Sequence, residues 1–287
     1  MTSDATGGHG GEFPDALLSL RDLRVSYPGK GRRAPRAQIL KGVSLDIRPG
    51  ETLGLVGESG SGKTTIGRAV LGLAPVESGT ITFAGSRIER AGRACRRALA
   101  RDLQVVFQDP YTSLNPSRTV GDTLGEPLLG QGTGTKEARA RIAELLERVR
   151  LPADAADRLP REFSGGQRQR VAIARALALR PRLVICDEPV SALDLTTQRT
   201  VLELLLEIQE ETRVAYLFVT HDLGVVRFMS HRVAVIQAGE LVETGDAGQV
   251  TSEPRHPYTR ALMLAAPVAD VREQRRRREA AELTARS

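Results

Sequence analysis

Tryptophan is absent from the 287-residue sequence, and aromatic residues make up only 3% of it. So few aromatic side chains argue against a surface that stacks on single-stranded nucleic acid. Cys95 and Cys186 are the only cysteines, which excludes a disulfide framework, a cysteine-rich zinc site and a cysteine-ligated iron–sulfur cluster. No stretch approaches about 18 consecutive apolar residues and no secretory signal is visible, so we expect a cytoplasmic protein without a membrane span of its own.

The charge balance is moderately basic, with 41 Lys and Arg residues against 35 Asp and Glu residues and a net charge of +6. Most of the basic residues are arginines, including a run of four at residues 275–278. We interpret them mainly as solvated surface, and contact with anionic lipid or nucleic acid stays open. Hydrophobic residues make up 40% of the chain, which is enough for a packed core and excludes wholesale disorder.

Hydrophobic periodicity predicts an α/β body that a mostly helical insert interrupts at about residues 110–178. Strands are predicted at residues 18–25, 43–47, 52–56, 80–83, 103–107, 183–186 and 214–219, with a hairpin over residues 233–242. Helices are predicted at residues 63–73, 120–129, 135–149 and 198–210, and one more begins at residue 164. We expect residues 1–15 to form a disordered tail, residues 16–265 one domain, and residues 266–287 an arginine-rich C-terminal extension.

One stretch between a predicted strand and a predicted helix matches the pattern G-x-x-x-x-G-K-[ST] in full. This phosphate loop consists of Gly57, Glu58, Ser59, Gly60, Ser61, Gly62, Lys63 and Thr64, and Thr65 follows it as a further candidate ligand-binding residue. Its glycines permit a sharp turn that aims successive backbone N–H groups at phosphate oxygens, beside the N-terminus of the following helix. Lys63 is expected to reach the β- and γ-phosphates, and the Thr64 hydroxyl is expected to ligate Mg²⁺.

A pair of acids, Asp187 and Glu188, directly follows the apolar run at residues 183–186. We expect this strand to lie beside the strand that precedes the phosphate loop, with both acids at the carboxyl edge of the sheet. Ligands of open α/β sheets bind at that edge. Asp187 would hold the metal through water, and Glu188 would orient the attacking water and accept its proton.

The remaining motifs resemble those of the ATP-binding cassette (ABC) ATPases. The stretch that is similar to the family's signature motif, called here the signature segment, is Phe163, Ser164, Gly165, Gly166, Gln167, Arg168, Gln169 and Arg170. Phe163 stands where the family usually has leucine, and it keeps that position apolar. Further family marks occur in the family's order, from Tyr27 through Gln108 and residues 191–194 to His221. The resemblance implies an α/β P-loop NTPase fold, an ABC-type nucleotide-binding domain with an antiparallel β subdomain and an α-helical insert.

The resemblance also implies roles for single residues within one ATP site. Tyr27 would stack on the adenine of ATP, and His221 would contact the γ-phosphate and the attacking water. Gln108 would sense metal and water and pass the change to the helical insert. The expected catalytic residues are therefore Glu188, His221 and Gln108, and the expected metal ligands are Thr64, Gln108 and Asp187.

The signature segment points to a second cassette. On its own, Ser164 is an ordinary helix N-cap. In the family, the helix end formed here by Ser164, Gly165, Gly166 and Gln167 faces ATP held by another nucleotide-binding domain, and Asp194 lies near the interface between the two. We therefore expect the chain to pair head to tail, either with itself or with a different cassette.

Two segments are similar to the ATPase subunits of oligopeptide and dipeptide permeases, and of the related nickel permeases. They are FQDPYTSLNP at residues 107–116, and HPYTRAL at residues 256–262 with Ala266 and Pro267. Some members bind an iron–sulfur centre through a C-terminal cysteine cluster, which this chain lacks, so that cofactor is not expected.

This resemblance implies a subunit that drives peptide import by hydrolysing ATP. It would lie at the cytoplasmic face of the inner membrane, bound peripherally to transmembrane permease subunits. An extracytoplasmic solute-binding protein would be an indirect partner, and no nucleic acid is expected. Import of nickel or another small solute, export, and a soluble ABC ATPase that acts on nucleic acid stay open as alternatives.

Overall fold

The computed structural model describes residues 16–29, 36–109 and 113–265. Two β-sheets and the helices that cover them form this part of the chain. The predicted N-terminal tail, the C-terminal extension with its arginine run, and residues 110–112 of the permease-like segment lie outside the described residues. The predicted domain limits therefore stay predictions.

The strands, in chain order, are β1 Leu18–Tyr27, β2 Ala37–Ile47, β3 Thr52–Val56, β4 Val76–Phe83, β5 Ser86–Arg87, β6 Leu103–Val106, β7 Leu183–Asp187, β8 Ala215–Thr220, β9 Arg232–Gln237 and β10 Glu240–Asp246. The α-helices are α1 Lys63–Val70, α2 Arg93–Leu99, α3 Val120–Gly130, α4 Thr135–Arg148, α5 Gly165–Leu177, α6 Leu195–Thr212, α7 Leu223–Met229, α8 Ala247–Ser252 and α9 Pro257–Ala265. Short 3-10 helices at Ala153–Asp157 and Pro160–Glu162 lie between α4 and α5.

The first sheet is antiparallel, in the order β2-β1-β4-β5. The second sheet has the order β10-β9-β3-β8-β7-β6, in which all neighbours are parallel except the hairpin of β9 and β10. Every residue of β3 and β8 is buried, as expected for central parallel strands that are covered on both faces.

The two faces of the parallel sheet pack into different hydrophobic clusters, because side chains alternate along a strand. In β8, Leu217 and Val219 pack on the face that carries α1 and the antiparallel sheet. Tyr216 and Phe218 pack on the opposite face, against residues of α5 and α6. The sheet is thereby held between two apolar layers, and its carboxyl edge is fixed relative to α1.

The prediction that the strand of the acid pair lies directly beside the strand of the phosphate loop is wrong. β7, which ends in Asp187, does not lie beside β3, because β8 is inserted between them and pairs with both. The register aligns Val56 with Thr220 and Asp187 with Val219, so the carboxyl ends of all three strands still meet at one edge. In this central position all six residues of β8 are buried, and its backbone finds hydrogen-bonding partners on both sides.

The helices α3, α4 and α5 lie between β6 and β7 along the chain, and we call them the helical subdomain. Their buried residues, among them Leu124, Leu145 and Val171, share a hydrophobic cluster with the face of the parallel sheet on which Tyr216 and Phe218 lie. Among the residues that the structure describes, no helix is both long enough and apolar enough to cross a membrane.

Candidate nucleotide-binding site

The backbone of the phosphate loop joins β3 to α1, and two of its glycines have no substitute. A Cβ atom at Gly57 would lie 2.1 Å from the carbonyl oxygen of Ile236, so any larger residue would clash with backbone. Gly62 precedes α1 with a φ of 110°, in the left-handed region that glycine favours. Gly60, at a φ of 79°, faces open space. The loop is therefore packed tightly at both ends and open in the middle, as a backbone cradle for phosphate requires.

Lys63 is buried within this loop. Its Nζ donates hydrogen bonds to the carbonyl oxygens of Gly57, at 2.7 Å, and Glu58, at 2.8 Å. Burial lowers the pKa of Lys63, although the negative charges of Glu188, Asp187 and Glu58 oppose the shift. The loop thus holds a cation beside its inward-facing backbone, where it can meet a phosphate.

Thr64 and Asp187 connect the phosphate loop to the acid pair. The Thr64 hydroxyl donates a hydrogen bond of 2.9 Å to Asp187 Oδ1. Burial raises the pKa of Asp187, and the nearby charge of Glu188 raises it further, whereas Thr64, Arg68 and Lys63 act in the opposite direction. Hydroxyl and carboxylate oxygens are ligands that Mg²⁺ prefers, so this pair fits the expected metal site.

Glu188 and His221 lie together at the carboxyl edge of the sheet. His221 Nδ1 is 3.3 Å from Glu188 Oε1, and the Glu188 N–H donates to the carbonyl of Val219 in β8. Glu188 has a φ of 48°, which a residue other than glycine rarely adopts. The neighbouring strand therefore helps to hold Glu188 in a strained conformation that sets where its carboxylate lies, a feature that functional sites often show.

A cleft of about 720 Å³ brings most of the predicted site residues together. Those that line it are Tyr27, Gly57, Glu58, Ser59, Gly60, Gly62, Lys63, Thr64, Thr65, Gln108, Glu188 and His221. Ser61 is buried in the loop, and Asp187 lies behind Thr64. We call this space the nucleotide cleft.

Three residues that line the nucleotide cleft were not predicted: Ile39, Arg68 and Leu262. Arg68 lies one helical turn after Thr64, so the spacing i, i+4 could have indicated it. Ile39 and Leu262 come from distant parts of the chain, and no local pattern could have found them.

The signature segment lies apart from the nucleotide cleft of its own chain. Ser164 caps α5: its hydroxyl accepts from the Gln167 N–H at 3.3 Å, and Gln167 Oε1 accepts from the Ser164 N–H at 2.9 Å. A Cβ at Gly166 would lie 2.2 Å from Thr197 Cγ2, so the N-terminus of α5 packs closely on that of α6.

Asp194 joins this contact. Its carboxylate caps α6 by accepting from the N–H groups of Thr196, at 3.1 Å, and Thr197, at 3.0 Å. Hydrogen bonds from Thr197 and Thr196 lower the pKa of Asp194. Ser164 and Asp194, which the sequence places far apart, therefore belong to two helix ends that touch through Gly166 and Thr197.

The family model for the ABC transporter matches residues 40–191, which is more than half of the chain and contains the phosphate loop, the signature segment and the acid pair. The chain belongs to the ABC transporter family. The model for the oligopeptide/dipeptide transporter C-terminal region matches residues 242–287 of this ABC protein. Both resemblances that the motifs indicated are thereby confirmed.

Curated relatives agree with this assignment. The chain is 49% identical over 269 residues to the glutathione import ATP-binding protein GsiA of Escherichia coli (strain K12), and equally to that of Salmonella typhimurium. These alignments cover 92% of this chain but 43% of each relative. The ABC protein described here therefore spans less than half the length of the curated relatives it matches.

Solved structures confirm the predicted fold class. The structure of cbiO1 from Clostridium perfringens, part of the ABC transporter complex cbiONQ, has a TM-score of 0.74 at 28% identity, over 83% of this chain and 92% of that one. The ATP-binding cassette MJ0796, in a dimeric post-hydrolysis state bound to ADP and Pi, has a TM-score of 0.72 at 31% identity, over 80% of this chain and 99% of that one.

Proposed function

We propose that this ABC protein is the ATP-hydrolysing subunit of a membrane importer of oligopeptides or dipeptides. The observation that carries the proposal is the nucleotide cleft, in which the phosphate loop, the Thr64–Asp187 pair and the Glu188–His221 pair face one space. The match of residues 242–287 to the oligopeptide/dipeptide transporter C-terminal region supports a peptide as the imported solute. The name of the relatives, glutathione import ATP-binding protein, agrees with it.

ATP would bind along the cleft from Tyr27 to the acid pair. The Tyr27 ring would stack on adenine, and the N–H groups of residues 60–65 would bind phosphate oxygens together with the positive end of α1. Lys63 would contact the β- and γ-phosphates. Mg²⁺ bound by Thr64, Gln108 and, through water, Asp187 would neutralise charge on those phosphates.

Hydrolysis needs a water molecule in line with the γ-phosphorus. Glu188 would orient this water and accept its proton while the water oxygen bonds to phosphorus and the bond to the β–γ bridging oxygen breaks. His221, 3.3 Å from Glu188, would keep the carboxylate in position and contact the γ-phosphate. Gln108 lines the same cleft and would pass the change in its contacts with metal and water to the helical insert.

A second cassette would complete the site. The N-terminus of α5 offers the Ser164 hydroxyl and the N–H groups of Gly165 and Gly166, an arrangement suited to an anion, yet it lies away from its own cleft. This separation supports a composite site in which Ser164 contacts ATP in a partner cassette. The dimeric state of the similar cassette MJ0796 supports the same arrangement.

The ABC protein would work at the cytoplasmic face of the inner membrane, where the helical subdomain docks on transmembrane permease subunits. A cavity of about 990 Å³ between α3, α4 and the 3-10 helix at residues 153–157 lies on that subdomain, beside the exposed side chain of Leu129. An extracytoplasmic solute-binding protein would deliver the peptide to the permease, and it need not touch this chain.

Purification of the tagged protein from membranes tests the proposal. Two permease subunits and a second cassette should co-purify, and the solute-binding protein encoded with them should bind a short peptide. Recovery with ribosomes or DNA, and no membrane protein, would contradict a transport role. A solute-binding protein that carries nickel would contradict the proposal that the imported solute is a peptide, but it would leave the transport role standing.

A further inference from the structure

Helix α9, the last helix in the part of the chain that the structure describes, contacts the phosphate loop from 200 residues away along the chain. The Glu58 N–H donates a hydrogen bond of 3.0 Å to the hydroxyl oxygen of Tyr258. Glu58 is the second residue of the phosphate loop, at the point where the backbone leaves β3 and begins its turn. A side chain from the C-terminal region thus binds the backbone of the loop at its entrance.

Glu243 anchors the segment that carries Tyr258. The Glu243 carboxylate, on β10, accepts from the N–H groups of Arg255, at 2.8 Å, and His256, at 3.0 Å. Burial raises the pKa of Glu243, but the N–H groups of Arg255 and His256, together with the Thr259 side chain and the charge of His256, outweigh burial and lower it. His256 Nδ1 in turn accepts from the Tyr258 N–H at 3.2 Å. The residues that precede Tyr258 at the start of α9 are therefore held against β10 of the sheet.

Apolar packing fixes the same helix beneath the loop. Tyr258, Leu262 and Met263 pack against a cluster of buried residues that includes Val56, the last residue of β3. Val56 immediately precedes Gly57, the first residue of the phosphate loop. Leu262 also lines the nucleotide cleft, so α9 contributes to the wall of the space in which ATP would bind.

We propose that Tyr258 is a positioning residue for ATP: its hydroxyl holds the Glu58 N–H and so keeps the phosphate loop in the conformation that binds phosphate. This inference rests on the proposed function. Backbone donors bind phosphate well only when they are already oriented, because ordering them at the moment of binding costs free energy. The C-terminal region is thereby part of the ATP-binding machinery.

The test is the substitution Tyr258→Phe, which removes the hydroxyl and keeps the ring packed against Val56. Removing one neutral hydrogen bond should weaken the binding of ATP and of ADP about two- to tenfold. The turnover number at saturating ATP should stay unchanged, since no group that touches the reacting atoms is altered. Hydrogen exchange at the Glu58 amide should become faster even without nucleotide, while the melting temperature changes little.

Tyr216→Phe is the matched control. It removes the same atom from a hydroxyl that donates to the carbonyl of Leu205 at 3.1 Å, in the core and away from the loop. This control should lower the melting temperature and leave the Kd for ATP and the exchange at Glu58 as in the wild type. A second variant, Glu243→Ala, should weaken ATP binding in the same direction as Tyr258→Phe. The two effects should not add, because both act through the same contact.

Equal Kd values for ATP in the wild type and Tyr258→Phe would overturn this inference and leave the proposed function intact. The inference would also be overturned if ATP binding weakened only together with a lower melting temperature, or if hydrogen exchange at the Glu58 amide stayed unchanged. A wild-type protein that binds no ATP would overturn both the proposed function and the role of Tyr258.

Discussion

The Thr64 hydroxyl donates to Asp187 Oδ1 at 2.9 Å, and this single bond joins the first turn of α1 to the end of β7. β8 lies between β7 and the strand that leads into α1, so the contact spans the full width of a strand. Two of the three residues that the sequence predicts as Mg²⁺ ligands are therefore already together in the folded chain. Metal binding would exchange the hydrogen bond for coordination rather than assemble the site anew.

Replacing Asp187 with Asn should stabilise the nucleotide-free protein at neutral pH. The folded-state pKa of Asp187 is raised, mainly by burial, so between the unfolded and folded pKa values the folded state binds more protons. Stability then falls as pH rises through that interval, and the loss is complete above the folded pKa. Thermal unfolding from pH 3 to pH 8 should show an advantage of Asp187→Asn that appears as pH rises. The added stability from Mg²⁺ and ATP should be lost, whereas the exposed control Asp157→Asn should behave as the wild type.

Replacing Lys63 with Ala should abolish ATP turnover and weaken ATP binding about 10- to 100-fold, since hydrogen bonds to charged groups contribute most among polar contacts. Loss of the bonds to Gly57 and Glu58 also frees the loop backbone. Calorimetric titration with ATP measures the affinity. Lys41→Ala is the control, because Lys41 makes only a surface ion pair of 3.8 Å with Glu240. Unchanged turnover in Lys63→Ala would remove the phosphate loop from the mechanism.

Replacing Glu188 with Gln should slow hydrolysis by about 10²- to 10⁴-fold while ATP binding persists. The amide keeps the size of the carboxylate but cannot accept the proton of the attacking water. The variant should accumulate as an ATP-bound closed dimer of cassettes, which size-exclusion chromatography with light scattering detects. Glu207→Gln, which alters a surface ion pair with Arg150, should cycle normally. A Glu188→Gln protein that turns over at the wild-type rate would rule out the proposed role.

Replacing Ser164 with Ala should lower ATPase activity at least about tenfold without changing the affinity of the isolated chain for ATP. The reason is that Ser164 would act on nucleotide held by the other cassette. Loss of the helix cap should also cost about 1 kcal/mol of stability. Thr119→Ala removes a comparable cap, the bond from the Asp122 N–H at 3.1 Å, and should cost stability but no activity. Equal losses of activity in both variants would reduce Ser164 to a structural cap.

The elements that carry chemistry could be predicted from the sequence because their signals are local. The phosphate loop needs glycines at fixed positions, and the acid pair follows an apolar strand, so both patterns lie within a few residues. The order of strands could not be predicted in the same way. The position of β8 between β3 and β7 depends on hydrogen bonds to both neighbours, which come from distant parts of the chain.

Two further features illustrate the same limit. The strained φ of Glu188 depends on the carbonyl of Val219, and the wall that Leu262 contributes to the nucleotide cleft depends on how α9 packs. From the sequence, the proposal that two cassettes share each ATP site rests on the family resemblance. A serine before a helix is by itself an ordinary N-cap, which is also the role of Ser164 within the folded chain.

The most direct test of the account is a cryo-EM structure of the membrane complex that contains Glu188→Gln, with ATP and Mg²⁺ bound. We expect ATP in the nucleotide cleft of this chain, covered by the signature segment of the neighbouring cassette. The Ser164 hydroxyl of this chain should lie within hydrogen-bond distance of the γ-phosphate in the neighbour. A closed, ATP-loaded complex in which Ser164 faces solvent would contradict the central claim that two cassettes share each ATP.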